Sequence, residues 1–159
     1  TRLDFDECFG TAINRFVCQA VADEPITLYG RGTQARGFLP LRDSMQCLAL
    51  VIEKPPGQGE YRVINQFAKV YSVTELAETV AKVAKRYFNR DPELLTIGNP
   101  RVEAAKHYYK PDRQILGDLG YEPRGDIEAE VREMFEDLLP HRERIVNHRC
   151  TLMPKISWM

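Results

Sequence analysis

Short apolar stretches with strand chemistry alternate with longer stretches of helical period along this 159-residue chain, and that alternation points to an α/β architecture. Residues 11–22 place Ile13, Phe16, Val17, Ala20 and Val21 on one helical face. Pro25 ends that helix before a short strand, Ile26-Thr27-Leu28-Tyr29. Gly30, Gly32 and Gly37 punctuate the next loop, and Phe38-Leu39 returns to extended structure. Asp43 is expected to cap a helix over 44–53, with Cys47, Leu48, Val51 and Ile52 as its inner face and Pro55-Pro56-Gly57 as its stop. Residues 61–65 read as a buried strand.

Ser72-Val73-Thr74-Glu75 has the spacing of a capping box. The helix it opens runs to about Phe88 and buries Leu76, Val80, Val83 and Ala84. Leu95-Thr96-Ile97 is a strand ending at Gly98, and 112–119 is a short helix stopped by Gly120. Asp126 caps a last helix whose inner face is Ile127, Val131, Met134, Phe135 and Leu138. The tail, 144–159, is expected to be extended. The order gives a small mixed α/β unit, with residues 1–159 as one domain. Its strands are too few for a complete doubly wound sheet, so some are expected to complete a sheet begun elsewhere.

Composition narrows the function classes. Charged residues are 28% and apolar ones 43%, ordinary for a globular chain, and the formal net charge of -1 gives no general field for nucleic acid. No apolar run has the length of a membrane span. The four cysteines form no Cys-x-x-Cys pair, and the three histidines stand at no ligand spacing from them, so no metal site is expected. Cys18 and Cys47 read as small core residues of a reducing compartment. Thr1 in place of Met is expected of a chain that starts inside a longer protein.

The motifs point to holding a phosphorylated ligand rather than reacting with it. Arg36 follows a glycine-rich turn, and Arg101 follows Asn99-Pro100 beyond a strand end. Guanidinium forks on two separate loops suit a diphosphate, although a lone loop arginine is more often a solvated residue. Tyr29, at a strand end beside Gly30, could stack on a base while the backbone of Thr27 and Leu28 reads its edge; a core aromatic is an equal reading. Asn14 either reaches a diphosphate or caps a turn. His107-Tyr108-Tyr109 and Gln66-Phe67 are weaker candidates, each as well explained by packing or a turn. No acid–base pair and no activated nucleophile can be assembled, so no catalytic residue is assigned.

The runs Phe9-Gly10-Thr11-Ala12-Ile13-Asn14-Arg15-Phe16, Tyr29-Gly30 with Gln34-Ala35-Arg36-Gly37-Phe38, Arg62-Val63-Ile64-Asn65-Gln66-Phe67 and Asn99-Pro100-Arg101-Val102-Glu103-Ala104 resemble the carboxy-terminal portion of the extended short-chain dehydrogenase/reductase family, the NAD-dependent nucleotide-sugar epimerases and dehydratases. The likeness covers nearly the whole chain. It implies the substrate-binding portion of an extended Rossmann-type enzyme, with the amino-terminal dinucleotide-binding part absent. It also implies a UDP-sugar ligand of UDP-glucose type. Thr27, Leu28 and Tyr29 would hold uracil and ribose, Arg36 and Arg101 the diphosphate, Asn14 would lie near the phosphates, and Glu103 near ribose or sugar. NAD belongs to the parent enzyme, and no cofactor is expected in this chain, which has neither Gly-x-Gly-x-x-Gly nor Tyr-x-x-x-Lys. Lys106 stands where the family pattern leads one to expect an acidic residue.

Two functions follow. In one the chain is the ligand-holding part of a nucleotide-sugar enzyme, inert alone. In the other it is a stand-alone binding or assembly module derived from such an enzyme. The expected partners are the missing Rossmann part or a second copy, with neither nucleic acid nor membrane. The expected compartment is the cytoplasm, or the plastid stroma in a eukaryote.

Overall fold

The computed structural model describes residues 11–98 and 110–152. Helix α1 (Ala12–Val21) leads into strand β1 (Ile26–Tyr29). Strand β2 (Ala35–Phe38) and helix α2 (Leu41–Glu53) follow, then β3 (Lys69–Ser72), α3 (Val73–Phe88) and β4 (Leu94–Ile97). After residue 110 come α4 (Gln114–Asp118), α5 (Ile127–Leu138) and α6 (Arg142–Asn147), with 3-10 turns at Leu139–His141 and Arg149–Thr151. The fold is mixed α/β, as the alternation of periods requires.

Helices α1, α3 and α5 pack on one another, and α1 and α3 also lie on β1. Phe16, Val17, Leu76, Val80, Val83, Val131 and Phe135 are fully buried between them. Phe88 stacks on Phe135 with ring centroids 4.9 Å apart. Full burial of side chains this size supplies about 1.5–3 kcal/mol each, so this three-helix seam dominates stability. Cys18 belongs to it, and burial pushes its thiol up to about 11, which leaves it protonated and inert.

The strands form two pairs. β1 and β4 run parallel, with Ile26 opposite Leu94 and Tyr29 opposite Ile97. β2 and β3 run antiparallel, with Ala35 opposite Ser72 and Phe38 opposite Lys69. Gly32 turns the chain between β1 and β2 at φ +68°, and a Cβ there would meet the Thr74 hydroxyl oxygen at 2.3 Å. Thr74 donates from its amide to the Gly32 carbonyl over 3.0 Å, so the turn is stitched to the start of α3.

Local signals are realised where they depend on neighbours in sequence. The Ser72 hydroxyl accepts from the Glu75 amide, and the Glu75 carboxylate accepts from the Ser72 amide. Asp126 caps α5 by accepting from the Ala129 amide at 3.1 Å.

Three expectations are corrected. Helix α2 begins at Leu41, so Asp43 lies inside it rather than capping it, and Leu48 and Ile52 point outward. Residues 61–65 form no strand and join neither sheet, and Tyr61 and Val63 are exposed rather than buried. The described part of the tail, 144–152, is helical through α6 and the turn at Arg149–Thr151, with Ile145 and Leu152 packed into the main core; 153–159 lie outside the described residues.

The capping box gives a direct test. Ser72→Ala should destabilise the chain by about 1 kcal/mol, read as a lower urea midpoint with unchanged slope. Phe135→Ala, in the seam, should cost about 3–5 kcal/mol by the same measurement.

Candidate functional site

A cavity of about 550 Å³ opens between the start of α1, the β2–β3 pair and α5. Thr11, Ile13 and Asn14 line one wall, because α1 begins at Ala12 and turns its first residues toward the space. Phe38 and Tyr71 form a second wall, in edge-to-face contact with centroids 6.1 Å apart. Ile127, Glu130 and Met134 of α5 close a third. The volume lies within the range of small-molecule pockets, and the lining combines aromatic and aliphatic walls with a few polar groups.

The polar groups are held in place. The Arg113 guanidinium donates to the Phe67 carbonyl at 3.1 Å and to the Ala68 carbonyl at 2.6 Å. Lys69 Nζ lies 5.0 Å from the centre of the Tyr71 ring. Burial raises the Glu130 carboxyl above its usual range; the Arg42 ion pair at 2.9 Å opposes this, and Glu133, Asp43 and Asp126 add to it. Burial, with Asp126 and Glu75, also raises the Tyr71 phenol.

Asp43 organises the cavity rim, a role no local sequence signal indicates. Its buried carboxylate accepts from the Tyr121 hydroxyl at 3.2 Å, the Arg124 amide at 3.1 Å and the Gly125 amide at 3.2 Å. Burial and the Asp43 charge push the Tyr121 phenol above its ordinary range, so it remains a donor. Pro123 and Gly125, held by this clasp, are part of the cavity wall. Gly125 lies so close to Pro40 that a Cβ would meet the proline ring at 2.3 Å.

The residues singled out from sequence fall in three places. Asn14 is buried on the cavity wall. Thr27 and Leu28 are buried within β1 beside α1. Thr27 donates from its amide to the Gln19 side chain at 3.1 Å, its hydroxyl accepts from Gln19 at 2.8 Å, and its carbonyl accepts from Arg15 at 2.9 Å. Its polar groups therefore serve the fold. The half-buried Tyr29 ring carries the Arg15 guanidinium 4.4 Å from its centre. Arg36 is exposed on β2 and donates to the Ala35 carbonyl at 2.8 Å. Arg101, Glu103 and His107-Tyr108-Tyr109 lie outside the described residues. Gln66 accepts from the Ser44 hydroxyl at 3.5 Å, and the Phe67 ring lies 5.5 Å from the Arg113 guanidinium.

Sequence reading missed Phe38, Tyr71, Arg113 and Glu130 as lining residues, since they meet only through packing. Among the described residues, no group of three or more His, Cys, Asp or Glu could hold a metal ion. Nor do they fit a dinucleotide: β1 is followed by the Gly30–Gly32 turn into β2, not by a helix whose amino terminus could take a pyrophosphate. Among the described residues, no helix is long and apolar enough to cross a membrane.

Comparison with known proteins adds relatives to this geometry. No protein-family model matches the chain. UDP-sulfoquinovose synthase of Sulfolobus acidocaldarius is 46% identical over 158 residues, which cover 99% of this chain and 40% of that one. The chloroplastic UDP-sulfoquinovose synthase of Spinacia oleracea is 39% identical over 157 residues, 99% of this chain and 32% of that one. Among solved structures, the UDP-glucuronic acid 4-epimerase of Bacillus cereus, in complex with UDP-glucuronic acid and NAD, matches with a TM-score of 0.64. It is 21% identical, over 82% of this chain and 40% of that one, a likeness of fold. The chain thus spans about two fifths or less of the length of these relatives.

The Asp43 clasp generates a prediction. Asp43→Ala strands two backbone amides and a buried phenol, and should cost about 1–3 kcal/mol in urea unfolding. Asp43→Asn keeps an acceptor oxygen and should cost less.

Proposed function

We propose that this chain, a part-length relative of the extended short-chain dehydrogenase/reductase enzymes with UDP-sulfoquinovose synthases among its close matches, is the UDP-sugar-holding part of a synthase of that kind. The whole enzyme would convert UDP-glucose and a sulfite-derived sulfur into UDP-sulfoquinovose for sulfolipid head groups. NAD would supply transient oxidation of the sugar, and the parts that bind it would lie outside these 159 residues. Residues 1–159 would act as one nucleotide-sugar-binding unit, inert by itself, in the cytoplasm or the plastid stroma.

The observation that carries this reading is the cavity into which Asn14 opens. Its aromatic wall of Phe38 and Tyr71 suits a flat nucleobase, and its volume accommodates a nucleotide rather than a macromolecule. Asn14 would lie near the phosphates. Strand β1, with Thr27, Leu28 and Tyr29, does not line this cavity and would hold the uridine end only beside it, through the half-buried Tyr29. Arg36, exposed on β2, and Arg101 would take the diphosphate, and Glu103 would lie near the ribose or sugar. The resemblance of the motifs around these residues extends through almost the whole of the chain, which supports the same ligand.

Calorimetry with UDP and UDP-glucose tests it. Saturable binding should weaken about tenfold or more in Arg36→Ala and in Arg101→Ala, the loss expected for one charge-assisted contact. Unchanged binding in both variants, or no binding by a folded chain, overturns the assignment. Turnover of NAD by the chain alone would overturn its proposed inertness.

A further inference from the structure

Two side chains of α1, one helical turn apart, fasten strand β1. Gln19 bonds the amide and the hydroxyl of Thr27. Arg15, four residues earlier and so on the same helical face, donates to the Thr27 carbonyl at 2.9 Å. Its guanidinium also lies over the Tyr29 ring, 4.4 Å from the centre, and 5.3 Å from the centre of the buried Phe16 ring.

The two rungs serve different ends. Gln19 and Thr27 are buried, and their bonds close within the fold. Arg15 and Tyr29 are half-buried, at the end of the strand, where the chain leaves the sheet through Gly30 at φ +60°. A methionine at 15 would pack against two aromatic rings without desolvating a charge, so packing alone does not call for a guanidinium. A planar cation does more than fill space. Its flat contact fixes the tilt of the ring, and its bond to the strand two residues back fixes where that contact is made. A guanidinium on one face of a ring leaves the opposite face and the edge for a flat ligand. Asn14, next along α1, is buried on the cavity wall, so one turn of helix carries both the cavity amide and the group that sets the ring.

We infer that Arg15 is a positioning residue for the uridine end of a UDP ligand: it holds the Tyr29 ring in the orientation on which the base stacks, and itself touches neither base nor phosphate. The inference rests on the nucleotide reading and adds to it the residue that orders the base platform. Stacking a base on an aromatic side chain is worth about tenfold or more in affinity. A ring that must be ordered by the ligand gives part of that back, and a ring held in advance does not.

The test is calorimetry on the full chain with UDP and, separately, inorganic pyrophosphate, which has no base. Arg15→Met should weaken UDP about tenfold and leave pyrophosphate within twofold. Arg15→Lys keeps a cation but not its planar fork, and should weaken UDP about threefold with pyrophosphate again unchanged. In a Tyr29→Leu chain, Arg15→Met should cost UDP nothing further, a coupling that a merely structural role would not produce. Carbon-13 relaxation of the tyrosine rings without ligand, with the Tyr29 signal identified by its loss in Tyr29→Leu, should show that ring freed in Arg15→Met. Equal weakening of UDP and pyrophosphate overturns the inference, since Arg15 then acts on the phosphates or on the fold as a whole. A further loss in the Tyr29→Leu background overturns it, as does a Tyr29 ring that stays ordered. If Arg15→Met does not fold, Arg15→Lys decides: any pattern other than UDP weakened with pyrophosphate unchanged overturns the inference. UDP binding by the unaltered chain that neither Arg15 variant weakens overturns this inference alone. Absence of UDP binding by the folded, unaltered chain overturns the nucleotide reading and this inference with it.

Discussion

The side chain of Gln19 is the pin on which the arrangement depends. Fully buried in α1, it bonds the amide and hydroxyl of Thr27 in β1 and, with the same side-chain nitrogen, the carbonyl of Leu152, 133 positions away. A buried amide left without partners would cost several times what one bond returns, so its acceptors and donors must be brought to it. Meeting that requirement sets β1 against α1. β1 in turn sets β4 in register and carries the chain into the Gly32 turn. The turn is tied to Thr74, and so to α3. From this one node the seam of α1, α3 and α5 and the position of the cavity follow.

Features encoded within a few residues were legible from sequence. The Ser72–Glu75 box and the Asp126 cap depend on contacts three residues apart, and each was readable because its chemistry is local. The burial of Cys47 was readable from helical period, and that of Cys18 from its apolar neighbours. The short strands Ala35–Phe38 and Lys69–Ser72 were not, since residues such as Arg36, Gly37 and Lys69 have little strand preference and are strands because they pair. Asp43 misled for a related reason. An aspartate ahead of an apolar helical run resembles a cap, but its real partners are about 80 positions on and exist only in the folded chain.

Residues 61–65 show a different kind of mismatch. The period-2 pattern is present in the structure as alternating exposure, but the stretch forms no strand and none of its residues is buried, so the expected buried strand is not realised. Local preference specifies a surface, and tertiary context supplies what covers it. The same holds for α2, where Cys47 and Leu50 find their neighbours and Leu48 and Ile52 do not. Strand β4 shows the same mismatch, with Leu94 and Leu95 exposed although it pairs with β1.

The chemistry of the cavity explains why it would position a ligand rather than transform it. General acid–base work needs a group free to exchange a proton at the reacting atom. Here the Arg113 guanidinium is spent on two backbone carbonyls, and Glu130 is shared with Arg42. Tyr71 is raised away from neutral pH by burial and by nearby acids. What remains is shape and polarity: an aromatic wall, a buried amide at Asn14, and a rim locked by Asp43. Such a surface can bind a ligand tightly without accelerating any step, and the rate of a reaction rises only when further groups stabilise its transition state more than its ground state. On the proposed reading, those groups would belong to the rest of the longer enzyme.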